Sequence, residues 1–129
     1  MNEIRHSLLI VDDELTTRRL LTYLLEPYYN VFCAENGEKA KKWLEAGNTA
    51  DLIITDIEMP IMNGFELIEM LTSEPSLSHI PVMVISSLTE ESIKDNPITS
   101  GVKVILKKPV EPKVLFWRVE QLLSQAVYL

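Results

Sequence analysis

Four apolar runs of this sequence are each followed by side chains that can bind a metal ion or a phosphate group. Asp12 and Asp13 follow the first of these runs, and Asp56, Ser86 and Lys108 follow three others. Carboxylates that share one crevice repel one another, so an ammonium group or a divalent cation must balance their charge. Mg²⁺ prefers oxygen ligands and binds through one or two carboxylates together with waters and phosphate oxygens. These residue types predict a magnesium-dependent site for phosphoryl chemistry.

Asp56 is the predicted phosphoryl acceptor of this set. A carboxylate beside a bound cation can attack phosphorus and form an aspartyl phosphate. Magnesium, the Lys108 ammonium, the Ser86 hydroxyl and nearby backbone N–H groups would then share the oxygens of the transferred group. Ser87 is adjacent to Ser86, but neighbouring strand residues point to different sides, and the spacing to Lys108 favours Ser86.

Each of these residues also has an ordinary structural interpretation when it is considered alone. An Asp pair before a helix often caps that helix and interacts with its dipole. A single Asp after a strand often caps a turn. A lysine is often a solvated surface residue, which is the interpretation we favour for Lys107. The prediction of a site therefore depends on all of the positions meeting at one edge of one sheet.

The apolar pattern predicts that sheet. The runs at 8–11, 52–54 and 82–85 lack polar alternation, which is typical of strands buried on both faces of a parallel sheet. Segments with helical spacing separate the runs, so the chain repeats a β-α unit five times. We therefore expect an α/β domain with helices on both faces of a parallel sheet, and ligands at the carboxyl ends of its strands. Further predicted strands lie at 31–33 and 102–106.

The helical segments have identifiable starts and ends. Leucines at 20–25 form a first helix that Pro27 ends, and two further helices follow Asn-Gly pairs at 36–37 and 63–64. A helix that begins at residues 89–91 should end by about Asn96, because Pro97 interrupts it. The last helix is predicted at about 113–126. One apolar face of that helix is formed by Leu115, Val119, Leu122 and Ala126.

Composition excludes several classes of protein. The chain of 129 residues has room for one domain, which we place at 1–129 with a core at about 7–126. The net charge of −7 repels phosphate backbones, so this domain should not bind nucleic acid directly. One cysteine and two isolated histidines exclude an internal disulfide and a Cys/His zinc site. No apolar run approaches the roughly 18 residues that a membrane span needs, so we expect a cytoplasmic protein without membrane contact.

The motifs resemble, in order and in spacing, those of response-regulator receiver domains of two-component signal transduction. The resemblance covers residues from about 7 to 123. It implies a single flavodoxin-like, doubly wound (βα)5 domain with strand order 2-1-3-4-5. The matching motifs are Val11-Asp12-Asp13-Glu14, the stretch from Asp56 to Gly64, the stretch from Pro81 to Ser86, Gly101, and Lys107-Lys108-Pro109.

The resemblance implies a role for each site residue. Asp56 would accept a phosphoryl group from a sensor histidine kinase or a histidine phosphotransfer protein. Asp13 and Asp56 would bind Mg²⁺, Asp12 would contribute partly through water, and the main-chain carbonyl of Glu58 would complete the protein ligands. Ser86 occupies the position of a Thr or Ser that moves toward the phosphoryl group in the family.

The remaining implications concern the switch itself. Lys108 occupies the position of the family's invariant lysine, and Pro109 would follow a cis peptide bond. Such a domain is a phosphorylation-dependent signalling switch, not an enzyme that acts on other substrates. Its conformational shift would alter contacts with a downstream protein target or an output domain.

One departure from the family pattern bears on how the signal leaves the site, and two further positions bear on how long the signal lasts. The family often has Tyr or Phe three residues before the invariant lysine, where this sequence has Ile105. An isoleucine cannot swing a polar tip between buried and exposed positions, so we expect phosphorylation to shift order in residues 88–100 instead. Glu58 and Leu88 lie where the family tunes the lifetime of the acyl phosphate, in a direction that the sequence leaves open.

Other side chains suggest contacts without defining them. Trp117 lies opposite the apolar stripe of the last helix, and Tyr128 returns to its side. Exposed aromatics there are consistent with a phosphorylation-linked homodimer, or with an indole that lies along the helix surface. Met59, Met62 and Cys33 are interpreted as packing residues, because no second soft ligand accompanies them.

Three alternatives remain open from the sequence. A small Mg²⁺-dependent phosphatase similar to the haloacid dehalogenase group also uses a strand-end Asp, but its nucleophile precedes its paired acids, whereas Asp12 and Asp13 precede Asp56 here. A degenerate receiver could act only as a docking module. A flavodoxin-like flavin binder would share only the fold class. The sequence also leaves open whether this is a single-domain regulator or part of a longer protein.

Overall fold

The five apolar runs form one parallel sheet in the computed structural model, which describes residues 4–127. The strand order is β2-β1-β3-β4-β5, as the resemblance implied, and all neighbouring pairs are parallel. This order puts β1 beside β3, so the residues that follow these two strands lie next to one another. The strands are β1 (Ser7–Val11), β2 (Asn30–Ala34), β3 (Leu52–Thr55), β4 (Val82–Ser86) and β5 (Val104–Lys107).

Helices cover both faces of the sheet, as predicted. One face packs against α1 (Leu15–Leu25) and α5 (Pro112–Val127). The opposite face packs against α2 (Gly37–Glu45), α3 (Gly64–Ser73) and α4 (Glu90–Lys94). Among residues 4–127, none of the helices combines the length and apolar character that a membrane span requires.

Most residues of the central strands β1, β3 and β4 are apolar, because each of these strands contributes to two cores. In β1, Leu9 and Val11 pack with α2 and α3, whereas Leu8 and Ile10 pack with α1 and α5. All four side chains are fully buried. Burial of one such side chain stabilises a fold by about 1.5–3 kcal/mol, so the strands that carry the site residues are held firmly from both sides.

The edge strand β2 departs from this pattern. It has a single neighbour in the sheet, and Phe32 and Cys33 are exposed on it. The interpretation of Cys33 as a packing residue is therefore wrong, because an edge strand leaves part of its surface uncovered. The Phe32 ring instead lies against Trp43 of α2, with ring centroids 5.2 Å apart.

The segment after β4 follows the prediction made from Pro97. Thr89 caps α4 by accepting from the backbone N–H of Ser92, and the helix ends at Lys94. A 3₁₀ helix then runs over Pro97–Gly101. Its last turn is closed by a backbone hydrogen bond from Val102 to Thr99, so the next strand starts at Val104 and not at residue 102.

The loop between β3 and α3 is tightly built around the site. Asn63 and Glu66 form a reciprocal capping box at the start of α3. A Cβ atom on Gly64 would overlap the main-chain oxygen of Asp56, so only glycine lets α3 start this close to the strand end. Ile61 in the same loop has φ of 70°, a left-handed conformation that disfavours β-branched residues.

We predict that Ile61→Asn stabilises the fold by about 1 kcal/mol, because asparagine tolerates the left-handed region. The substitution removes little buried apolar surface, because Ile61 is exposed. Ile61 is 74% exposed. Chemical denaturation with matched m-values measures the change. Ile61→Val keeps the β-branch and should leave the free energy of unfolding unchanged, so an equal gain in both variants would contradict the strain argument.

Candidate functional site

The predicted site residues meet at the carboxyl edge of the sheet. Asp12 follows β1 and Asp56 follows β3, and only 2% and 5% of their surfaces are exposed. Ser86 ends β4 and is fully buried. Lys108 follows β5 and reaches back over this edge, with 15% of its side chain exposed. The topology thus brings together groups that are far apart in the sequence, as predicted.

Lys108 is the centre of this cluster. Its ammonium nitrogen lies 2.9 Å from a carboxylate oxygen of Asp12 and 2.9 Å from one of Asp56. It lies 2.7 Å from a carboxylate oxygen of Glu14. Burial of the ammonium lowers the pKa of Lys108, but its hydrogen bonds to Glu14, Asp56 and Asp12 outweigh burial and raise the pKa above its ordinary value. Lys108 therefore carries its positive charge throughout the physiological range.

Opposing effects act on the pKa of Asp12, and the net effect raises it. Burial of the carboxylate raises its pKa, and the nearby charge of Asp56 acts in the same direction. Hydrogen bonds from the backbone N–H of Glu14 and from Lys108 lower the pKa without cancelling the effect of burial. Ionised Asp12 thus costs stability at neutral pH, and an added cation would relieve that cost.

Hydrogen bonds fix both the backbone and the carboxylate of Asp56. Its backbone N–H donates to the main-chain oxygen of Val11 at 2.9 Å, which ties β3 to β1. One carboxylate oxygen accepts from the backbone N–H of Ile57 at 2.6 Å, and the other faces Lys108. The Thr55 hydroxyl donates to the main-chain oxygen of Asp56 at 2.8 Å. The carboxylate therefore has little conformational freedom to lose when it reacts.

The three aspartates have the geometry of a divalent-cation site. Asp12, Asp13 and Asp56 each offer an oxygen, and these oxygens lie within 4.8 Å of one another. Asp13 is exposed, so the cluster opens to solvent on its side. Among residues 4–127, the Lys108 ammonium contacts the carboxylates of Asp12, Glu14 and Asp56, and Asp13 adds a fourth carboxylate to the cluster, so negative charge remains in excess. Oxygen donors and excess negative charge fit Mg²⁺.

Ser86 connects the site to the segment that follows β4. Its hydroxyl oxygen accepts from the backbone N–H of Leu88 at 3.2 Å, and its main-chain oxygen accepts from the backbone N–H of Lys108 at 2.9 Å. Ser87 is exposed, so the two serines do lie on different sides of the strand end, as predicted. Lys107 is exposed too, in agreement with its interpretation as a solvated residue.

Comparison with known proteins decides the family. The family model described as the response regulator receiver domain matches residues 8–120. The chain belongs to the response regulator receiver domain family. It is a receiver domain of the two-component type, and the phosphatase and docking-only alternatives are not favoured.

Individual relatives agree with this assignment. Chemotaxis protein CheY1 of Helicobacter pylori is 33% identical over 119 residues, which cover 91% of this chain and 96% of that protein. The cyclic di-GMP phosphodiesterase response regulator RpfG of Xanthomonas campestris is 33% identical over 121 residues, or 92% of this chain. The match spans only 32% of RpfG, and the match to the response regulator PleD of Caulobacter vibrioides spans 25% of that protein.

Solved structures show the same fold. A putative response regulator from Chloroflexus aurantiacus superposes with a TM-score of 0.86 at 30% identity, over 94% of this chain and 99% of that one. The receiver domain of a signal transduction histidine kinase from Syntrophus aciditrophicus gives a TM-score of 0.84 at 32% identity, over 93% of this chain and 91% of that one. The flavodoxin-like receiver fold is thereby established.

The turn after β5, the core and the last helix of the receiver domain also contain features that the sequence predicts. The peptide bond between Lys108 and Pro109 is cis, as implied. Met59 is buried in the core, in agreement with its packing role. Trp117 is 58% exposed, and the guanidinium carbon of Arg118 lies 4.5 Å from its ring centroid. Tyr128 and the side chain of Ala126 lie outside the described residues.

Sequence reasoning missed two contacts of the receiver site. Glu14 belongs to the motif that follows β1, and in the folded chain its carboxylate also reaches Lys108. Arg18 donates from its guanidinium to the main-chain oxygen of Asp12 at 2.7 Å and so holds the turn after β1. Nothing in the sequence signals the first contact, because a side chain at a helix start has several acceptable local partners, and Lys108 is 94 positions away. The second connects residues six positions apart, across the start of α1.

We predict that Asp12→Asn is more stable than the wild type in the presence of a chelator at pH 7. Burial raises the pKa of Asp12, so ionisation of this carboxyl destabilises the folded state above its folded pKa. The gain should shrink as the pH falls through that raised pKa, because Asp12 of the wild type then becomes neutral. Thermal melts at several pH values measure the difference.

Magnesium should reverse this order. The wild type should gain about 2.7 kcal/mol when free Mg²⁺ reaches about 100 times its Kd, and Asp12→Asn should gain less because it loses a ligand charge. A variant that is less stable than the wild type in chelator at pH 7 would contradict the argument from burial.

Proposed function

We propose that Asp56 is the residue of this receiver domain that takes up a phosphoryl group, and that the donor is the phosphohistidine of a sensor histidine kinase or a histidine phosphotransfer protein. The observation that carries this proposal is the nearly buried Asp56 carboxylate in direct contact with Lys108 at the carboxyl edge of the sheet. Lys108 and Ser86 complete the reacting groups in this proposal.

The transfer follows from the placement of these side chains. A carboxylate oxygen of Asp56 forms a bond to phosphorus while the bond from phosphorus to the donor imidazole breaks, and the electron pair of that bond returns to the imidazole nitrogen. Lys108 then donates to an oxygen of the phosphoryl group, and the Ser86 hydroxyl can donate to another. Because the acceptor is fixed by its backbone contacts, the gain comes mainly from positioning and charge stabilisation.

A divalent cation belongs to this proposal. Asp12, Asp13 and Asp56 would hold Mg²⁺, together with the main-chain carbonyl of Glu58. Bound magnesium would supply positive charge against the carboxylates and the phosphoryl oxygens. The crowding of the three carboxylates and the raised pKa of Asp12, which burial causes, support a role for a cation at this place.

The proposed output is a change of order in residues 88–100. If Ser86 turns its hydroxyl toward a phosphoryl group, the backbone N–H of Leu88 loses the acceptor that it has at 3.2 Å. Leu88 directly precedes Thr89, the cap of α4, and α4 has only five residues. Ile105 and Leu88 are both partly buried and pack against the same core, so this core can couple β5 to the segment after β4 without an aromatic swing. The start of α4 is therefore a weak point close to the site.

The wider role is proposed at the level that the family supports. The receiver unit extends over 1–129 with its core at about 7–126, and it acts as a signalling switch without activity toward other substrates. Its partners would be the phosphodonor protein and a downstream protein or output domain, and α5 with the exposed Trp117 is the candidate surface for a phosphorylation-linked homodimer.

A cytoplasmic location is part of this proposal, and the free thiol of Cys33 is consistent with a reducing compartment.

We predict that incubation with acetyl phosphate and Mg²⁺ adds one phosphoryl group to the wild type and none to Asp56→Asn, because the amide is not nucleophilic. Intact mass spectrometry measures the adduct. Asp95→Asn removes an exposed carboxylate outside the site and should still be phosphorylated. Sustained release of phosphate over many turnovers would instead support a phosphatase, and no adduct on the wild type despite Mg²⁺ binding would support a docking module.

We also predict that phosphorylation changes hydrogen exchange in residues 88–100 and leaves exchange in β3 unchanged. The reason is that the hydrogen bond from Leu88 to Ser86, which is lost in this proposal, lies at the start of residues 88–100 and not in β3. Exchange with and without beryllofluoride, a phosphoryl analogue, measures the difference by mass spectrometry. Ser87→Ala, which alters the exposed neighbour, should respond like the wild type. Identical exchange in residues 88–100 in both states would defeat the proposed route.

A further inference from the structure

We propose that Glu14 is a positioning residue that holds Lys108 in the unphosphorylated receiver and releases it to the phosphoryl group. This inference rests on the proposed role of Asp56 as phosphoacceptor and concerns the control of that same site. Glu14 thereby sets the rate at which the site takes up a phosphoryl group and the affinity with which it keeps one.

The Lys108 ammonium is shared among three carboxylates in the present arrangement. It carries three N–H groups, and three carboxylate oxygens lie within hydrogen-bond distance: 2.7 Å for Glu14, 2.9 Å for Asp12 and 2.9 Å for Asp56. A phosphoryl oxygen on Asp56 can accept from Lys108 only when one of these contacts is exchanged. The phosphorylated oxygen of Asp56 becomes an ester oxygen, so its contact can pass to the phosphoryl group, and Asp12 and Glu14 remain as the acceptors that compete with that group for Lys108.

Burial identifies which of these two competing acceptors yields to the phosphoryl group. The side chains of Asp12 and Asp56 are 3% and 6% exposed, whereas that of Glu14 is 56% exposed. A buried carboxylate that loses its partner pays the full cost of desolvation, but an exposed one is hydrated again at little cost. Asp12 is also held by the backbone N–H of Glu14 at 2.9 Å. Glu14 is thus the contact that yields most easily.

The local role expected of Glu14 is not used. It occupies the N-cap position of α1 with an extended backbone, yet its side chain makes no capping hydrogen bond. Acceptor side chains at this position normally bond to the free N–H groups of the first turn. The carboxylate of Glu14 instead contacts a residue 94 positions away. Its observed contact is with the reacting lysine and not with its own helix.

Two substitutions separate the contact from the charge. Glu14→Ala removes both. Glu14→Asp keeps the charge beside the site, but aspartate is a good N-cap, so its shorter side chain should turn to the first turn of α1 and leave Lys108 free. Glu35→Gln is the matched control, because Glu35 follows β2 at the same edge of the sheet and contacts Lys39 instead of Lys108.

The test measures the rate of phosphorylation by acetyl phosphate with Mg²⁺ and, separately, the affinity for beryllofluoride. Glu14→Ala and Glu14→Asp should both be phosphorylated about two- to fivefold faster than the wild type and should bind beryllofluoride tighter by a similar factor. The ¹⁵N resonance of the Lys108 ammonium should move in both variants before any ligand is added. Glu35→Gln should match the wild type in all three measurements.

The outcomes distinguish this inference from the proposed function. If Glu14→Asp behaves like the wild type while Glu14→Ala is faster, only the negative charge matters and the positioning role is wrong. If both variants match a wild type that does form the adduct, the inference fails and the proposed function stands. If the wild type forms no adduct at all, the proposed function fails and this inference fails with it.

Discussion

The positive charge of the Lys108 ammonium offsets the repulsion between the carboxylates at the carboxyl edge of this sheet. It lies among carboxylates of Asp12, Asp56 and Glu14 that would otherwise repel one another in a partly buried crevice. The charge is only partly balanced, since Asp13 adds a further carboxylate to the cluster. The folded receiver therefore holds a site that is stable enough to form and still short of positive charge. A cation or a change of partners for Lys108 relieves that shortage.

Apolar packing on both faces of the parallel sheet offsets the unfavourable concentration of charge at its edge. Each central strand is packed on both faces, so the two cores fix the positions of the strand ends independently of the polar contacts. The hydrogen bond from Asp56 to Val11 and the close approach of Gly64 then set the acceptor against β1 and α3. Within residues 4–127, the non-glycine residue with a left-handed backbone is Ile61, in the loop that follows the acceptor. A rigid scaffold with a few unfavourable contacts at one edge is typical of a functional site.

The path from the site to the surface is short in this protein. Ser86 accepts from Leu88, Leu88 leads to the cap of a five-residue helix, and a 3₁₀ helix follows after Pro97. Short elements of this kind have low local stability, so a single lost hydrogen bond can shift their order. Ile105 packs in the same core and provides contact without a polar tip. The absence of an aromatic at this position is thus compatible with a switch that acts through order.

The sequence by itself determined the five strands, the helix that ends before Pro97 and the convergence of Asp12, Asp56, Ser86 and Lys108, because burial on both faces and strand-end positions are local patterns. It misjudged Cys33, since exposure on β2 depends on which strand lies at the edge. It also could not reveal the contact between Glu14 and Lys108. A side chain at a helix start has several acceptable local partners, and only the folded chain brings a residue 94 positions away within 2.7 Å. Tertiary structure decided which charges share the lysine, because that choice depends on distance and burial and not on residue type.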